Sequence, residues 1–188
     1  KFSGSSWARW LLRFEERVSA RVAHRVLCVN DPQRDVLVRR GIPEAKTMVT
    51  MNVPDPRIFS AAGPQVRARS GNRLDLVYHG TMAHRLGVDL LIRATARVCE
   101  RVPHTTLHLW GRGDDLSSFQ ALAHELGMSA HVEFNPTGYP LEDLPERLRG
   151  MDIGLVGNRH SEASELMLPV KLLEYVALGI PVVAPRLP

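Results

Sequence analysis

Cysteine is scarce in this chain of 188 residues, and the sequence motifs of several enzyme classes are absent. The two cysteines, Cys28 and Cys99, lie in separate apolar runs without a C-x-x-C or Cys/His ligand spacing. We therefore expect reduced thiols in a cytoplasmic protein, and neither a disulfide framework nor a zinc site. No G-x-x-x-x-G-K, G-x-S-x-G or H-E-x-x-H pattern occurs, which argues against P-loop, serine-hydrolase and zincin chemistry.

Long hydrophobic runs are also missing. No apolar stretch approaches the roughly 18 residues that cross a bilayer, and no signal peptide pattern is visible. Hydrophobic residues make up 44% and charged residues 23% of the chain, as in globular proteins. The sequence does not begin with Met, and it ends shortly after a strand-like apolar run. We therefore expect a fragment of a longer protein.

The net charge of +4 comes from the first 25 residues. Six basic residues in that segment face only two acidic ones, Glu15 and Glu16, and the rest of the chain holds equal numbers of each sign. A basic excess that is confined to one segment, with a balanced remainder, does not indicate a nucleic-acid-binding protein.

The same segment has the periodicity of an amphipathic helix over residues 7–25. The apolar residues at three-to-four-residue spacing are Trp7, Trp10, Leu11, Phe14, Val18 and Val22, and arginines occupy the other face. Two interpretations stay open. The helix packs its Trp and Phe side chains onto a domain core, or it contacts an anionic membrane surface at the inner face of the membrane.

Strands and helices alternate along the chain. A strand at 25–29, a helix at 32–41 and a strand at 47–53 come first, and a linker is predicted at 60–73, where large apolar side chains are rare. Five further strands (74–78, 106–110, 131–134, 153–156 and 181–184) alternate with helices (87–102, 115–126, 144–149 and 169–178). This order predicts an α/β fold with a Rossmann-like, doubly wound parallel sheet over 74–188, preceded over 1–59 by the C-terminal part of a second Rossmann-like domain.

Ligands of such sheets bind beyond the carboxyl ends of the strands, and two loops there contain glycine and arginine. After the strand at 74–78, Gly80 permits a close approach of the backbone, the next helix N-terminus offers N–H groups to an anion, and Arg85 supplies a forked cation. After the following strand, Gly111, Arg112 and Gly113 form the G-x-G half of a dinucleotide fingerprint. A phosphate cradle and an ordinary strand-to-helix turn both remain compatible with the first loop.

The most informative segment is Ser161–Ala184. Pro169 suits the first turn of a helix and Gly179 its end. The predicted buried stripe consists of Val170, Leu173, Val176 and Ala177. Lys171 and Glu174 are then expected on the opposite face, where a lysine attracts a diphosphate and a carboxylate one turn later accepts hydrogen bonds from a vicinal diol such as ribose. A plain surface Lys/Glu pair is the alternative.

Several segments in a row match one family pattern. They are Arg25–Phe59, with N-x-x-D-x-x-x-F from Asn52 to Phe59, then Gly80–Ala94, Trp110–Asp114, His131–Gly138, and the helix with Lys171 and Glu174 followed by Gly179–Ala184. In this order they resemble the GT-B glycosyltransferases of family 4. The resemblance implies the end of an acceptor-side domain at 1–59 and a nucleotide-sugar donor domain at 74–188, without its C-terminal end.

The resemblance also implies a reaction. A sugar would pass, with retained anomeric configuration, from a nucleoside-diphosphate sugar to a hydroxyl of a carbohydrate or lipid-linked acceptor, without a metal or another cofactor. Arg85 and Lys171 would neutralise the diphosphate as catalytic residues, and Glu174 would bind the ribose. The other implied donor-binding residues are Gly80, Thr81, Gly111, Arg112, Asn135, Pro136 and Glu165. The sequence also lacks the D-x-D pair that holds a cation in the other major glycosyltransferase fold.

One position departs from the family pattern. The family commonly has a second Glu eight residues before the ribose-binding one, and that position is Leu166 here, with Glu162 and Glu165 nearby. Either of these two would then face the sugar. Two other functions stay open: a module that binds a nucleotide sugar without transferring it, and an NAD-dependent oxidoreductase, which lacks its third Gly and its acidic partner here.

Overall fold

The computed structural model describes residues 6–60 and 72–186, which fall into two compact units. The first unit contains the chain up to Asn52 with the short segment Leu166–Leu168, and the second contains the remainder. Residues 61–71 of the predicted linker 60–73 lie outside the described residues. Phe59, the predicted end of the first domain, is buried in a core of the second unit with Val77 and Trp110, which explains why the compact units divide near residue 52.

The first unit is built from two helices and two strands. Its elements are α1 (Ser6–Val22), β1 (Val26–Cys28), α2 (Asp31–Arg39) and β2 (Thr47–Val49), with β1 and β2 parallel. The side chain of Asn30 accepts from Gln33 N at 2.9 Å and so caps α2. The predicted strand, helix and strand are therefore present, although β2 ends four residues before the predicted residue 53.

Helix α1 packs through its small and polar side. Ala20 is its one buried side chain among the residues described, and Lys46 Nζ donates to the carbonyls of Ala20, Arg21 and Ala23 at the helix end. The apolar side chains that define the predicted stripe, Trp7, Trp10, Leu11, Phe14, Val18 and Val22, are all exposed. Within the described residues no core covers this face.

The second unit is a five-stranded parallel sheet with helices on both faces. Its strands are β3 (Leu74–His79), β4 (Thr105–Trp110), β5 (Val132–Asn135), β6 (Ile153–Leu155) and β7 (Val182–Val183), in the order β5-β4-β3-β6-β7. Its helices are α3 (Val88–Cys99), α4 (Leu116–Glu125), α5 (Leu144–Arg149) and α6 (Val170–Ala177). The predicted Rossmann-like, doubly wound sheet is confirmed.

Alternating side chains of β3 feed two hydrophobic cores. Leu76 and Tyr78 join α3 and α4 on one face, whereas Val77 joins α5 and α6 on the other. The strand order reverses at β3, because the chain adds β4 and β5 on one side and β6 and β7 on the other. This is the topological switch point at which doubly wound sheets form their ligand crevice, so the residues that follow β3 lie where a ligand is expected.

Helix α6 buries a different face from the predicted one. Tyr175 is fully buried and its hydroxyl donates to Val77 O at 3.2 Å, whereas Val176, assigned to the buried stripe, is 63% exposed. The prediction was wrong because apolar residues occur on nearly every side of this short helix, so the periodicity does not define a face. Lys171 and Glu174 consequently lie on the inner side, and the interpretation as a plain surface pair is wrong.

Candidate functional site

The loops after β3 and β4 contact each other through their backbones. Gly80 N donates to Trp110 O at 2.8 Å. A Cβ atom on Gly111 would lie only 2.0 Å from Gly80 O, and Gly111 has a φ of +136° that side chains disfavour. Likewise, a Cβ on Gly113 would lie 2.1 Å from Met82 O. The G-x-G pattern of the second loop therefore serves to join two loops at the carboxyl edge of the sheet.

A cavity of about 320 Å³ opens at this junction. Its lining consists of His79, Gly80, Thr81, Trp110, Gly111, Arg112, Thr137, Gly138, Tyr139 and Leu144. Four of these, Gly80, Thr81, Gly111 and Arg112, were predicted from the sequence as donor-binding residues. The side chains of His79, Trp110 and Tyr139 were not predicted, although His79 and Trp110 are the last residues of β3 and β4, a position that sequence inspection can single out.

The loop after β5 closes one side of the cavity. Asn135 Nδ2 donates to Gly138 O at 3.1 Å and Asn135 Oδ1 accepts from Thr137 Oγ1 at 2.7 Å, so the Asn135 side chain shapes its own loop and does not line the cavity. Pro136 is exposed and also outside the lining. Tyr139 stands edge-on against Trp110 with ring centres 4.9 Å apart, which forms a rigid aromatic wall.

Lys171 reaches this edge of the sheet from α6. Its Nζ lies 3.8 Å from the centre of the Tyr78 ring, and a Cβ on Gly80 would lie 3.4 Å from the same nitrogen. Burial lowers the pKa of Lys171 to about 8, against the opposing charge of Glu174. The result is a desolvated cation beside the glycine backbone that leads into the cavity.

Glu174 faces His79, one turn along α6 from Lys171. Glu174 Oε2 lies 3.2 Å from His79 Nε2, and the two side chains are 12% and 10% exposed. Burial raises the pKa of Glu174, and the charge of Lys171 partly counteracts this. Burial, with a smaller contribution from Lys171, lowers the pKa of His79 to about 3, so this histidine is neutral at pH 7. The charged side chains of Lys171 and Glu174 and the neutral imidazole of His79 therefore lie together beside the cavity.

Two further predicted residues, Arg85 and Glu165, also lie outside the cavity lining. Arg85 is exposed, outside the lining of the cavity, in a short 3-10 turn (His84–Leu86). Its backbone is held by Arg159, whose N–H donates to Arg85 O at 3.2 Å. Glu165 pairs with the largely exposed His160, with Oε1 2.9 Å from Nε2. Of the residues that the family resemblance implied, the inner pair on α6 and four cavity residues lie at this edge of the sheet, and Arg85, Asn135, Pro136 and Glu165 are outside the cavity lining.

The first turn of α3 contains a carboxylate. Asp89 is buried and bonded to Arg159, which also donates to His84 O at 3.1 Å. The helix N-terminus that was expected to attract a phosphate thus already faces a paired negative charge. Asp115 immediately precedes α4, but its side chain makes no capping hydrogen bond there and accepts from His84 N at 2.9 Å, which ties the two loops together.

Residues 6–60 and 72–186 contain neither a metal-ligand cluster nor a membrane-spanning helix. No three His, Cys, Asp or Glu side chains in these ranges stand close enough together to hold a metal ion. None of the helices described is both long and apolar enough to cross a bilayer.

A known protein family and several characterised proteins are similar to this chain. A family model described as "Glycosyl transferases group 1" matches residues 73–188. A GDP-mannose-dependent alpha-(1-6)-phosphatidylinositol monomannoside mannosyltransferase of Mycolicibacterium smegmatis is 36% identical over 134 residues, which is 67% of this chain and 35% of that protein. A protein of the same name from Mycobacterium tuberculosis is 30% identical and covers 70% of this chain and 34% of its own length. The chain thus spans about a third of these relatives.

Solved structures share the fold. The Anabaena protein HepE, in complex with UDP and glucose, superposes with a TM-score of 0.73 at 20% identity, over 93% of this chain and 49% of its own. WaaG, a glycosyltransferase of lipopolysaccharide biosynthesis, superposes with a TM-score of 0.67 at 24% identity, over 84% of this chain and 43% of its own. These likenesses support the GT-B type of architecture that the sequence predicts.

Proposed function

This chain belongs to the group 1 glycosyltransferases, and on that premise we propose that it forms the donor-binding part of an enzyme that transfers a hexose from a nucleoside-diphosphate sugar to an acceptor hydroxyl. The observation that supports this most directly is the buried pair of Lys171 and Glu174, which lies at the switch point of the sheet beside a glycine-built cavity. A site for a nucleoside diphosphate requires a cation that binds the diphosphate and, a short distance away, a hydrogen-bond acceptor that binds the two ribose hydroxyls.

The proposed roles follow from these positions. The nucleoside occupies the cavity between Arg112 and Tyr139, and the diphosphate lies toward Gly80 and the ammonium of Lys171. When the bond between the anomeric carbon and the diphosphate oxygen breaks, negative charge develops on the diphosphate, and Lys171 stabilises it. The acceptor oxygen bonds to the anomeric carbon, and its proton passes to the departing diphosphate oxygen, so that the products are the glycoside and the nucleoside diphosphate. Arg85 is exposed and outside the cavity lining, although its charge acts on Tyr78, so the buried Lys171 is the stronger candidate.

The donor and the stereochemistry are proposals drawn from relatives. Two of the similar mannosyltransferases are named as GDP-mannose-dependent and as forming an alpha-(1-6) linkage. We therefore propose GDP-mannose as the first donor to test. Because the mannose of that donor is itself α-linked, an α product corresponds to retention of configuration, which agrees with the mechanism that the sequence resemblance implies. No step in this proposal calls for a metal ion or another cofactor.

The proposals of a lipid-linked acceptor and of a membrane contact draw on the names of the relatives and on the exposed surface of α1. The relatives are named for a phosphatidylinositol-linked acceptor, and α1 exposes a row of Trp, Phe and Val side chains flanked by Arg17 and Arg21. Such a surface suits an anionic lipid layer. We propose a lipid-linked acceptor with peripheral membrane contact at the inner face. Flotation with anionic vesicles at low salt tests it, and the absence of binding there would reject the contact.

Ligand-induced changes in melting temperature test the donor site. We expect GDP or UDP to stabilise the 188-residue chain and NAD to have no effect, because Lys171 and the Gly80 backbone offer a diphosphate site beside the cavity and the dinucleotide fingerprint is incomplete. Stabilisation by NAD alone would reject the donor site and favour the oxidoreductase.

Activity is tested in the full-length gene product. Transfer of mannose from GDP-mannose should be lost in Lys171→Ala and Glu174→Ala, while far-UV circular dichroism remains that of the wild type. Glu133→Ala is a matched control, since its side chain is 65% exposed and outside the cavity lining. Binding of the nucleotide without any transfer by the full-length protein would favour a non-catalytic binding module.

A further inference from the structure

His79 is a buried histidine at the last position of β3, and its ring faces Glu174. Its Nε2 lies 3.2 Å from Glu174 Oε2. Within the described part of the chain the Nε2 atom is buried and makes no formed hydrogen bond. A buried ring nitrogen without a partner costs free energy, and the nearby carboxylate oxygen is the acceptor within reach.

The surroundings of the imidazole determine its direction. The Tyr175 ring stands edge-on against it, with centres 5.2 Å apart and an interplanar angle of 88°. Tyr175 is itself fixed, because it is fully buried and its hydroxyl bonds to Val77 O. The next peptide is held by the bond from Gly80 N to Trp110 O. Strand β3 and helix α6 thus leave the ring pointing at Glu174.

The charge state of His79 limits what it can do. With a pKa lowered to about 3 by burial and by Lys171, the ring is neutral near pH 7 and carries one N–H. Of its two tautomers, only the one protonated at Nε2 has a proton between the ring and the carboxylate. A neutral donor orients a carboxylate and leaves its negative charge in place, whereas a protonated histidine would form an ion pair with it.

We propose that His79 is a positioning residue for Glu174. The Nε2–H of His79 donates to Oε2 of the Glu174 carboxylate and holds the carboxylate in place, so that its other oxygen accepts a hydrogen bond from a vicinal diol of the ligand. The proposal deepens the proposed function and rests on it for the identity of that ligand, the ribose of a nucleoside diphosphate. Without the donor, the Glu174 side chain gains rotamer freedom, and ordering it on binding then costs affinity. The loss is therefore specific for ligands that carry both ribose hydroxyls.

Binding of GDP and of 2′-deoxy-GDP by calorimetry tests the proposal. We expect His79→Leu to weaken the binding of GDP about tenfold, because one hydrogen bond to a charged group is lost. The same variant should weaken the binding of 2′-deoxy-GDP less than about twofold. His79→Gln, which can place an amide N–H near the position of Nε2, should stay within about threefold of the wild type for both. An equal loss for both nucleotides in His79→Leu would overturn the proposal, because a merely structural role predicts that result.

His108→Leu is the matched control. His108 is also buried, at 7% exposure, and its Nε2 lies 3.1 Å from a carboxylate oxygen of Asp75, outside the candidate cavity. We expect this variant to lower the melting temperature and to keep the wild-type ratio of GDP to 2′-deoxy-GDP affinity. If its ratio falls as far as that of His79→Leu, general destabilisation explains the effect and the proposal fails.

Nitrogen-15 NMR of the imidazole separates this proposal from the proposed function. In the free chain the His79 ring should be the Nε2–H tautomer with shifts that do not change between about pH 5 and pH 8, and Glu174→Gln should move the Nε2 signal. A ring protonated at Nδ1, or one that titrates with an ordinary histidine pKa, would overturn the positioning role. Failure of the wild type to bind any nucleoside diphosphate would reject the proposed function, and the NMR result would still decide for or against the contact.

Discussion

Lys171 holds its ammonium 3.8 Å from the centre of the Tyr78 ring, where α6 crosses the end of β3. Tyr78 is fully buried and donates its hydroxyl to Thr81 O at 2.7 Å, so the ring has a fixed place. A cation over an aromatic face recovers part of the hydration that it loses on burial. The lowered pKa of Lys171 shows that the recovery is incomplete, which leaves a cation that an incoming anion would stabilise.

Lys171→Met should make the ligand-free chain more stable at pH 7. The pKa of Lys171 falls from 10.5 to about 8 on folding, so the unfolded state binds more protons between these values and the stability of the wild type rises with pH through that window. The burial cost is complete below about pH 8. We expect the free energy of unfolding of the variant to rise by about 1 to 3 kcal/mol. The gain is smaller than the full burial cost of the lysine, because Glu174 loses its charged partner in the variant. Urea unfolding at pH 7 and pH 10 measures it.

The pH dependence is the distinguishing part of that experiment. The advantage of Lys171→Met over the wild type should shrink by pH 10, where the lysine has lost most of its charge in the folded state. A variant that is less stable than the wild type at pH 7, or an advantage that is independent of pH, would contradict a desolvated Lys171.

Gly111→Ala should disrupt the cavity. A Cβ at this position would lie 2.0 Å from Gly80 O, and the residue has a φ of +136°. Relief of the clash requires the two loops to separate, which we expect to cost about 3 kcal/mol or more and to remove nucleotide binding. Gly127→Ala is the control for backbone strain, since it has a φ of +67° and no atom within 4 Å of the added carbon. Thermal unfolding with and without GDP compares them, and equal losses in both variants would show that the clash is unimportant.

Asp75→Asn should reduce stability at neutral pH and have little effect in acid. Burial opposes ionisation of Asp75, but hydrogen bonds from His108 and Arg73 outweigh it and hold the pKa below its ordinary value. The contribution of a carboxylate with a lowered pKa is present above the unfolded-state value, about 3.9, and is lost as pH falls through the folded-state value. Urea midpoints of variant and wild type should therefore differ at pH 7 and approach each other as the pH falls through the lowered folded-state pKa of Asp75.

The control for this prediction is Asp114→Asn, at an exposed position on the loop before α4. It should change stability by less than about 0.5 kcal/mol both at pH 7 and in acid. A gap between Asp75→Asn and the wild type that stays constant as the pH falls from 7 into acid would contradict the lowered pKa of Asp75.

Lys46→Met should loosen the end of α1. The Lys46 ammonium donates to the carbonyls of Ala20, Arg21 and Ala23, and these groups have no partner from the helix itself after its last turn. We expect faster hydrogen exchange of the α1 amides by a factor of about ten, which corresponds to about 1.4 kcal/mol. Arg39→Met, at an exposed position near the end of α2, is the control, and equal exchange in the two variants would contradict the capping role.

Much of the architecture follows from local sequence signals. Helix α5 begins and ends at the predicted residues, Leu144 and Arg149, and the predicted order of alternating strands and helices is present in both units. Local signals were sufficient because a short apolar run, a capping residue and a glycine stop each act over a few residues. They failed for α6, since residues such as Val176 and Tyr175 are both apolar and only the neighbouring strand selects the one that is buried.

The sequence by itself determined the order of elements, the glycines of the two loops, and the identity of Lys171 and Glu174 as the informative pair. Only the tertiary structure decided that the pair faces inward, that His79 meets Glu174, and that Arg85 stays exposed. The physical reason is that desolvation and ring contacts depend on atoms distant in sequence. Tyr78 and Lys171 are far apart along the chain, and the pKa of that lysine is lowered because folding brings β3 and α6 together.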